Sequence, residues 1–131
     1  MTFPRAFWLA MILVLANPAA RAERMDGMKW RVKVTPDKES VSKGAKEFDD
    51  EFIFADGKFT STALQTQGFE PGPYRFETEG EEVEWSADKA SSSAGMAGWG
   101  GRVNGKTTTG TFHWQKKDGT SLFYKFTGTK E

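Results

Sequence analysis

The sequence predicts an all-β protein: an antiparallel meander of about eight strands that closes, or nearly closes, into a barrel. A two-sheet β-sandwich is the alternative arrangement of the same strands. Three observations carry this expectation. Large apolar residues recur with a period of two in separate short stretches, the signature of strands with one buried face. Tight-turn signals join the stretches, among them Asp56-Gly57, Glu79-Gly80, Asn104-Gly105 and Asp118-Gly119. The chain has no cysteine, so the fold must be held by a packed core rather than by disulfides.

In the first strand Met28, Trp30, Val32 and Val34 alternate with Lys29, Arg31 and Lys33, which puts an apolar set inward and a basic set outward. Phe48, Phe52 and Phe54 repeat this parity in a second strand, and Phe59 and Ser61 begin a third after the Asp56-Gly57 turn. Tyr74 and Phe76 mark the fourth strand, Val83 and Trp85 the fifth. The small residues from Ala90 to Met96 read as a wide connection or a frayed strand end. Parity returns at Ala97, Trp99, Gly101 and Val103, and across Asn104-Gly105 it resumes at Thr108, Gly110, Phe112 and Trp114. Leu122, Tyr124 and Phe126 form the last strand. So many inward aromatics, each removing about 150–250 Å² from water, predict an interior packed over most of its length. The wall of Gly101 and Gly110, which has no side chain, leaves room for a small pocket.

Two segments fall outside the strand pattern. Residues 35–47 are polar and read as a loop or short helical turn. Residues 63–74 hold Phe69 between Gly68 and Pro71-Gly72-Pro73, and are expected to fold over one barrel end as a plug or a lid.

The N-terminus follows a different logic. Arg5, the apolar run from Ala6 to Ala16 and the Ala20-Arg21-Ala22 site predict a secretory signal peptide over residues 1–22. A span of about 11 apolar residues is too short for a bilayer, which needs about 20. Cleavage near Ala22 would leave residues 23–131 as one domain, periplasmic or secreted. Those 109 residues (131 less 22) carry 16 basic and 18 acidic side chains, because Arg5 and Arg21 leave with the signal. Near-neutrality without a basic patch argues against nucleic acid as a partner. A barrel embedded in a membrane would face lipid with Lys29, Arg31, Lys33, Glu82, Glu84, Arg102 and Lys125, so no membrane-integral segment is expected after cleavage.

Among the carboxylates, Glu47, Asp49 and Glu51 lie outward and oppose the basic face of the first strand, which implies cross-strand charge pairs. No loop has the spacing of a calcium site, and neither a metal nor a cofactor is expected. Asp50 has inward parity between Phe48 and Phe52. It must sit at a bulge, at a barrel mouth, or buried with a raised pKa, and it is the leading candidate functional residue. Glu77, Glu79, Glu82 and Glu84 project outward from one hairpin and repel one another unless a basic group or partner offsets them. The one histidine, His113, has outward parity, and there is no nucleophile elbow, cysteine or phosphate loop, so an enzyme is not expected.

The order F-A-D-G-K-F, G-F-E-P-G-P-Y, W-G-G-R-V-N-G, W-Q-K-K-D-G and Y-K-F-T-G, spread over nearly all of residues 23–131, resembles small exported bacterial proteins without an assigned activity. At the level of fold alone, the meander is similar to calycin and lipocalin-like barrels, a resemblance that implies an interior able to hold a small apolar ligand. Lipocalins carry G-x-W near the first strand, whereas Gly27-Met28-Lys29-Trp30 is one residue longer, so no binding residue is carried over. Two functions follow from this reading. One is a binding module holding a small apolar or amphipathic ligand near Asp50, Phe69, Tyr74 and Trp99. The other is an interaction module presenting its loops and acidic hairpin to an envelope protein.

Overall fold

The computed structural model describes residues 25–131; the expected signal peptide lies outside them. The elements in order are β1 (Lys29–Pro36), α1 (Lys38–Ser42), β2 (Phe48–Ala55), β3 (Lys58–Ser61), α2 (Thr62–Gln65), β4 (Gly72–Glu79), β5 (Glu82–Ser91), β6 (Gly95–Asn104), β7 (Thr107–Gln115) and β8 (Ser121–Lys130). Each strand pairs antiparallel with the next, and β8 returns to β1 through rungs that include Val32–Gly128 and Val34–Phe126. That last ladder decides between the two architectures. The sheet has closed into a barrel, and the sandwich is excluded.

Strand parity follows the sequence. Along β1, Trp30, Val32 and Val34 are buried while Lys29, Arg31 and Lys33 are exposed. Across the β1–β2 ladder Arg31 faces Glu51 and Lys33 faces Asp49, and Lys33 also pairs with Glu47 at 3.2 Å. These pairs are exposed and stabilise little.

Two expected connections take a different form. The Ala90 to Met96 stretch is not a wide connection: β5 runs to Ser91 and β6 starts at Gly95, leaving three residues to turn the chain. Ser91 makes this possible, because its Oγ accepts the amides of Ser93 (3.3 Å) and Ala94 (3.2 Å). Small residues are required here, since a Cβ on Gly95 would lie 2.1 Å from the Gln115 carbonyl oxygen. The second difference is at the Asn104-Gly105 signal. Asn104 pairs with Thr107, so the two turn residues are Gly105 and Lys106, with Gly105 first at φ +64°. Positive φ at the first turn position is the pattern of a type II′ hairpin, whereas Asp56 (φ 55°) and Gly57 (φ +74°) have the doubly positive pattern of type I′.

The interior is a nest of rings. Phe52 meets Phe126 at 5.0 Å between centroids, Phe54 meets Trp85 at 5.0 Å, Phe59 meets Trp99 at 5.0 Å, and Trp99 stacks on Phe112 at 4.9 Å. The wall of Gly101 and Gly110 is not an empty pocket on its inner side. A Cβ on Gly101 would stand 2.8 Å from the Trp85 indole, and one on Gly110 would stand 2.6 Å from Phe126 and 2.0 Å from the Gly100 carbonyl oxygen. Gly128 likewise makes room for Val32, 2.8 Å from where its Cβ would be. The glycines are gaps that rings from other strands fill.

The barrel's ends differ. The tight turns at 56–57, 80–81 and 105–106 lie at one end, and both helices and the 116–120 connection lie at the other. Asp37 caps α1 by accepting the Ser40 amide at 2.8 Å, and buried Ser40 Oγ accepts the Phe123 amide at 2.8 Å, which ties the helix to β8.

Gly110→Val forces a side chain into the Gly100 backbone and the Phe126 ring. It is expected to destabilise the protein by about 3 kcal/mol or more in urea unfolding. Thr109→Val, on the outer face one residue away, should stay within about 0.5 kcal/mol. Equal effects would mean that these glycines do not face a filled interior.

Candidate functional site

Asp50 sits on regular β2, opposite Val32, with no bulge. Its side chain points inward and is 8% exposed, so of the three expected environments the buried one is realised. Its carboxylate gathers three donors: Ser61 Oγ donates to Oδ2, while the amides of Glu51 (2.7 Å) and Ala63 (2.8 Å) donate to Oδ1. Ser61 in turn caps α2 by accepting the Leu64 amide at 3.2 Å. Burial pushes the Asp50 carboxyl above its usual range, and the bonds from Ser61, Ala63 and Glu51 pull partly against that rise. The result is a polar clamp joining β2 to the start of α2.

What the clamp positions is the barrel's end cover. α2 buries Leu64 in the core, and the chain then brings Phe69, 2% exposed, edge-on against Trp99 at 6.5 Å and Trp114 at 6.0 Å. Asp50, Phe69 and Trp99 therefore converge on one end of the barrel through Ser61. Beneath the segment only about 10 Å³ remains, bordered by Phe59, Ser61, Phe69 and Trp99, which is barely room for one water. Phe69 is a plug. Ser61, eleven residues from Asp50, was readable as an inward strand position but had no signal marking it as the carboxylate's partner.

Tyr74 lies apart from this group, toward the opposite end. Its hydroxyl donates to Asp26 Oδ1 at 2.6 Å, and Asp26 also receives the Gly57 amide at 3.1 Å. Burial and the Asp26 carboxylate raise the Tyr74 pKa, so the phenol stays protonated. Nothing in the sequence marks Asp26 as the group that links the start of the described chain to the β2–β3 turn.

The larger concavity is outside the barrel. An open groove of about 890 Å³ crosses β4 to β7, with Arg75, Glu77, Glu84, Arg102, Thr109 and Thr111 around the backbone of Gly100. Of the acidic hairpin, Glu77 and Glu84 border it, alongside Arg75 and Arg102. Glu77 faces Glu84 and Glu79 faces Glu82 across the ladder, a repulsive arrangement that Arg102 relieves. Its guanidinium holds Glu82 at 2.8 Å and also pairs with Glu84, and both carboxylates raise the Arg102 pKa. Arg75 pairs with Asp88 at 3.5 Å. Glu77, Glu79 and Glu81 have no basic side chain at ion-pair distance among the described residues.

Other polar features organise no comparable site. His113 is outward and stacks on Phe123 at 4.3 Å. Trp30 Nε1 is buried without a hydrogen-bond partner among the described residues. No cluster of three or more potential metal-ligating side chains occurs among them, and no helix among them is long and apolar enough to cross a membrane. Comparison of the chain with protein-family models, with curated proteins and with solved structures finds no match.

The Asp50 carboxyl gives a signed pH dependence. Since its folded pKa is raised, its stabilising contribution is complete below the unfolded value near pH 4 and is lost as pH rises through the folded value. The wild type should therefore gain stability relative to Asp50→Asn as the pH falls from neutral to about 4, measured by urea unfolding. Asp50→Ala, which strands the donors, should cost about 1–3 kcal/mol at neutral pH. A wild type and Asp50→Asn pair with parallel pH profiles would contradict the burial effect.

Proposed function

We propose that residues 23–131 act as an exported interaction module whose working surface is the outside of the barrel, around the β4–β5 hairpin and the adjoining groove, and whose partner is a basic segment of an envelope protein. One observation carries the reading: the inside is filled, while on the outside the β4–β5 hairpin presents Glu77, Glu79 and Glu81 without a basic partner among the described residues, Glu77 at the border of an open groove. Arg102 holds Glu82 and Glu84 in place, so the hairpin is ordered, and Glu77, Glu79 and Glu81 give it its sign. A lysine- or arginine-bearing segment complements that sign, and electrostatic complementarity speeds encounter and selects partners. The packed barrel supplies rigidity.

A small apolar ligand is the second reading, favoured by the meeting of Asp50, Phe69 and Trp99 at one end of the barrel. With about 10 Å³ beneath Phe69, it requires that residue to move.

The surface reading is tested with a defined probe, a lysine-rich peptide followed by amide NMR on residues 23–131. Shifts should concentrate in β4, β5 and β6 and weaken as ionic strength rises from about 0.05 to 0.5 M. The triple variant Glu77→Gln, Glu79→Gln, Glu81→Gln should lower affinity about tenfold or more. Arg102 and its two partners are left intact, so the hairpin keeps its internal pairs. Shifts spread over the whole surface, or unchanged affinity in the triple variant, would overturn the reading.

A further inference from the structure

The segment that closes the barrel end is held in an uneven way. Its first part, Ser61 to Leu64, is fixed by the Asp50 clamp and by the burial of Leu64. Its second part, residues 66–71, belongs to no strand. The backbone bonds it makes are local: Gln67 and Phe69 donate to the Leu64 carbonyl, and Gly68 donates to that of Gln65. Among the described residues the polar link from this part to the barrel wall is Ser91 Oγ to the Gln67 carbonyl, long at 3.4 Å. Pro71 offers no amide hydrogen, and the β3–β4 ladder begins only at Gly72, which pairs with Phe59. Residues 66–71 are thus held chiefly by the Phe69 ring between Trp99 and Trp114 and by the close seating of Gly68 against Ser91 and Ser93.

A ring held by rings in this way marks what else could occupy its place. We propose that this end of the barrel is a cryptic site for an uncharged, single-ring aromatic ligand, which enters when residues 66–71 swing outward and takes the position of the Phe69 ring. The site deepens the second reading given above, a small apolar ligand at this end of the barrel, and rests on that reading rather than on the outer-groove one. Its walls stay fixed when the segment moves, because Phe59, Trp99 and Trp114 belong to β3, β6 and β7. Its size is set by the phenyl group it replaces, since the space beneath adds only about 10 Å³. Beside the rings, the space is bordered by the Ser61 hydroxyl, already engaged with Asp50 and with the Leu64 amide, and by Glu70, Asp88 and Lys89. The seat itself, beside Phe59, Trp99 and Trp114, is apolar and takes a neutral ring, while the bordering polar groups can meet a small hydroxyl on it. The apparent affinity is the intrinsic affinity reduced by the fraction of molecules with the segment open, so removing the Phe69 ring should raise it.

The charged groups nearest the segment are Glu70 within it and Asp88 and Lys89 on β5, where Lys89 has the inward parity of Ala87 and Ser91 and its side chain lies against Gly72; on β2, Asp50 is turned in while Asp49 and Glu51 face outward.

The experiment titrates 4-fluorophenol into residues 23–131, wild type and Phe69→Ala, read by ¹⁹F NMR. Amide hydrogen exchange is followed in the wild type with and without the probe. Saturable binding to both is expected, about tenfold or more tighter in Phe69→Ala. In the wild type the Gly68, Phe69 and Glu70 amides should exchange faster than those of β6 and β7, and faster again with probe present. A folded Phe69→Ala that shows no saturable binding overturns the proposal. Where that variant does not fold, the wild-type exchange decides: amides of 68–70 as slow as the strands and unmoved by probe overturn the site, and probe-driven exposure of them supports it.

Discussion

The structure depends on a fit between missing side chains and large ones. Gly101, Gly110 and Gly128 lie on three successive strands, and the spaces they leave are taken by Trp85, Phe126 and Val32, which come from β5, β8 and β1. Closure and packing are therefore one event. Phe126 can lie against Gly110 only while β7 and β8 are paired, and Val32 against Gly128 only while β8 has met β1. With no cysteine in the chain, this interlock does the work that disulfides do in many small cysteine-rich domains.

A filled interior directs attention to the two ends and the outside. At the helical end, a buried carboxylate supplies the acceptors that fix α2, and α2 carries the chain to the point where Phe69 completes the core. Asp50 places the cover by accepting three hydrogen bonds. On the outside, Arg102 turns a repulsive ladder of glutamates into an ordered hairpin. Within the one hairpin, two glutamates are bound internally and three have no basic side chain at ion-pair distance among the described residues.

Much of the fold was legible because the barrel has one dry and one wet face, so hydropathy alternates along each strand. Where hydropathy carried no signal, the reading failed for a definite reason. Ala90 to Met96 has no large side chains to alternate, yet it is mostly strand because backbone pairing between β5 and β6 needs none. At Asn104-Gly105 the presence of a turn was legible and its register was not, since the same dipeptide can supply both central residues or only the first of them. Gly101 and Gly110 looked like empty wall because the rings that fill the space are 16 residues away in both cases, at Trp85 and Phe126. For the site, inward parity exposed Asp50, but its partner Ser61 and the separate pairing of Tyr74 with Asp26 arise from tertiary proximity alone.

The central claim is that this is a closed barrel with rings seated in glycine gaps. A proton NOE spectrum of residues 23–131 tests it most directly. The account predicts contacts from the Gly110 Hα protons to the Phe126 ring, from Gly101 Hα to the Trp85 indole, and from Gly128 Hα to the Val32 methyls, with the glycine protons facing Trp85 and Phe126 shifted by ring currents. Glycine Hα signals at ordinary shifts, without contacts to Trp85, Phe126 or Val32, would mean an open or hollow sheet and would contradict the account.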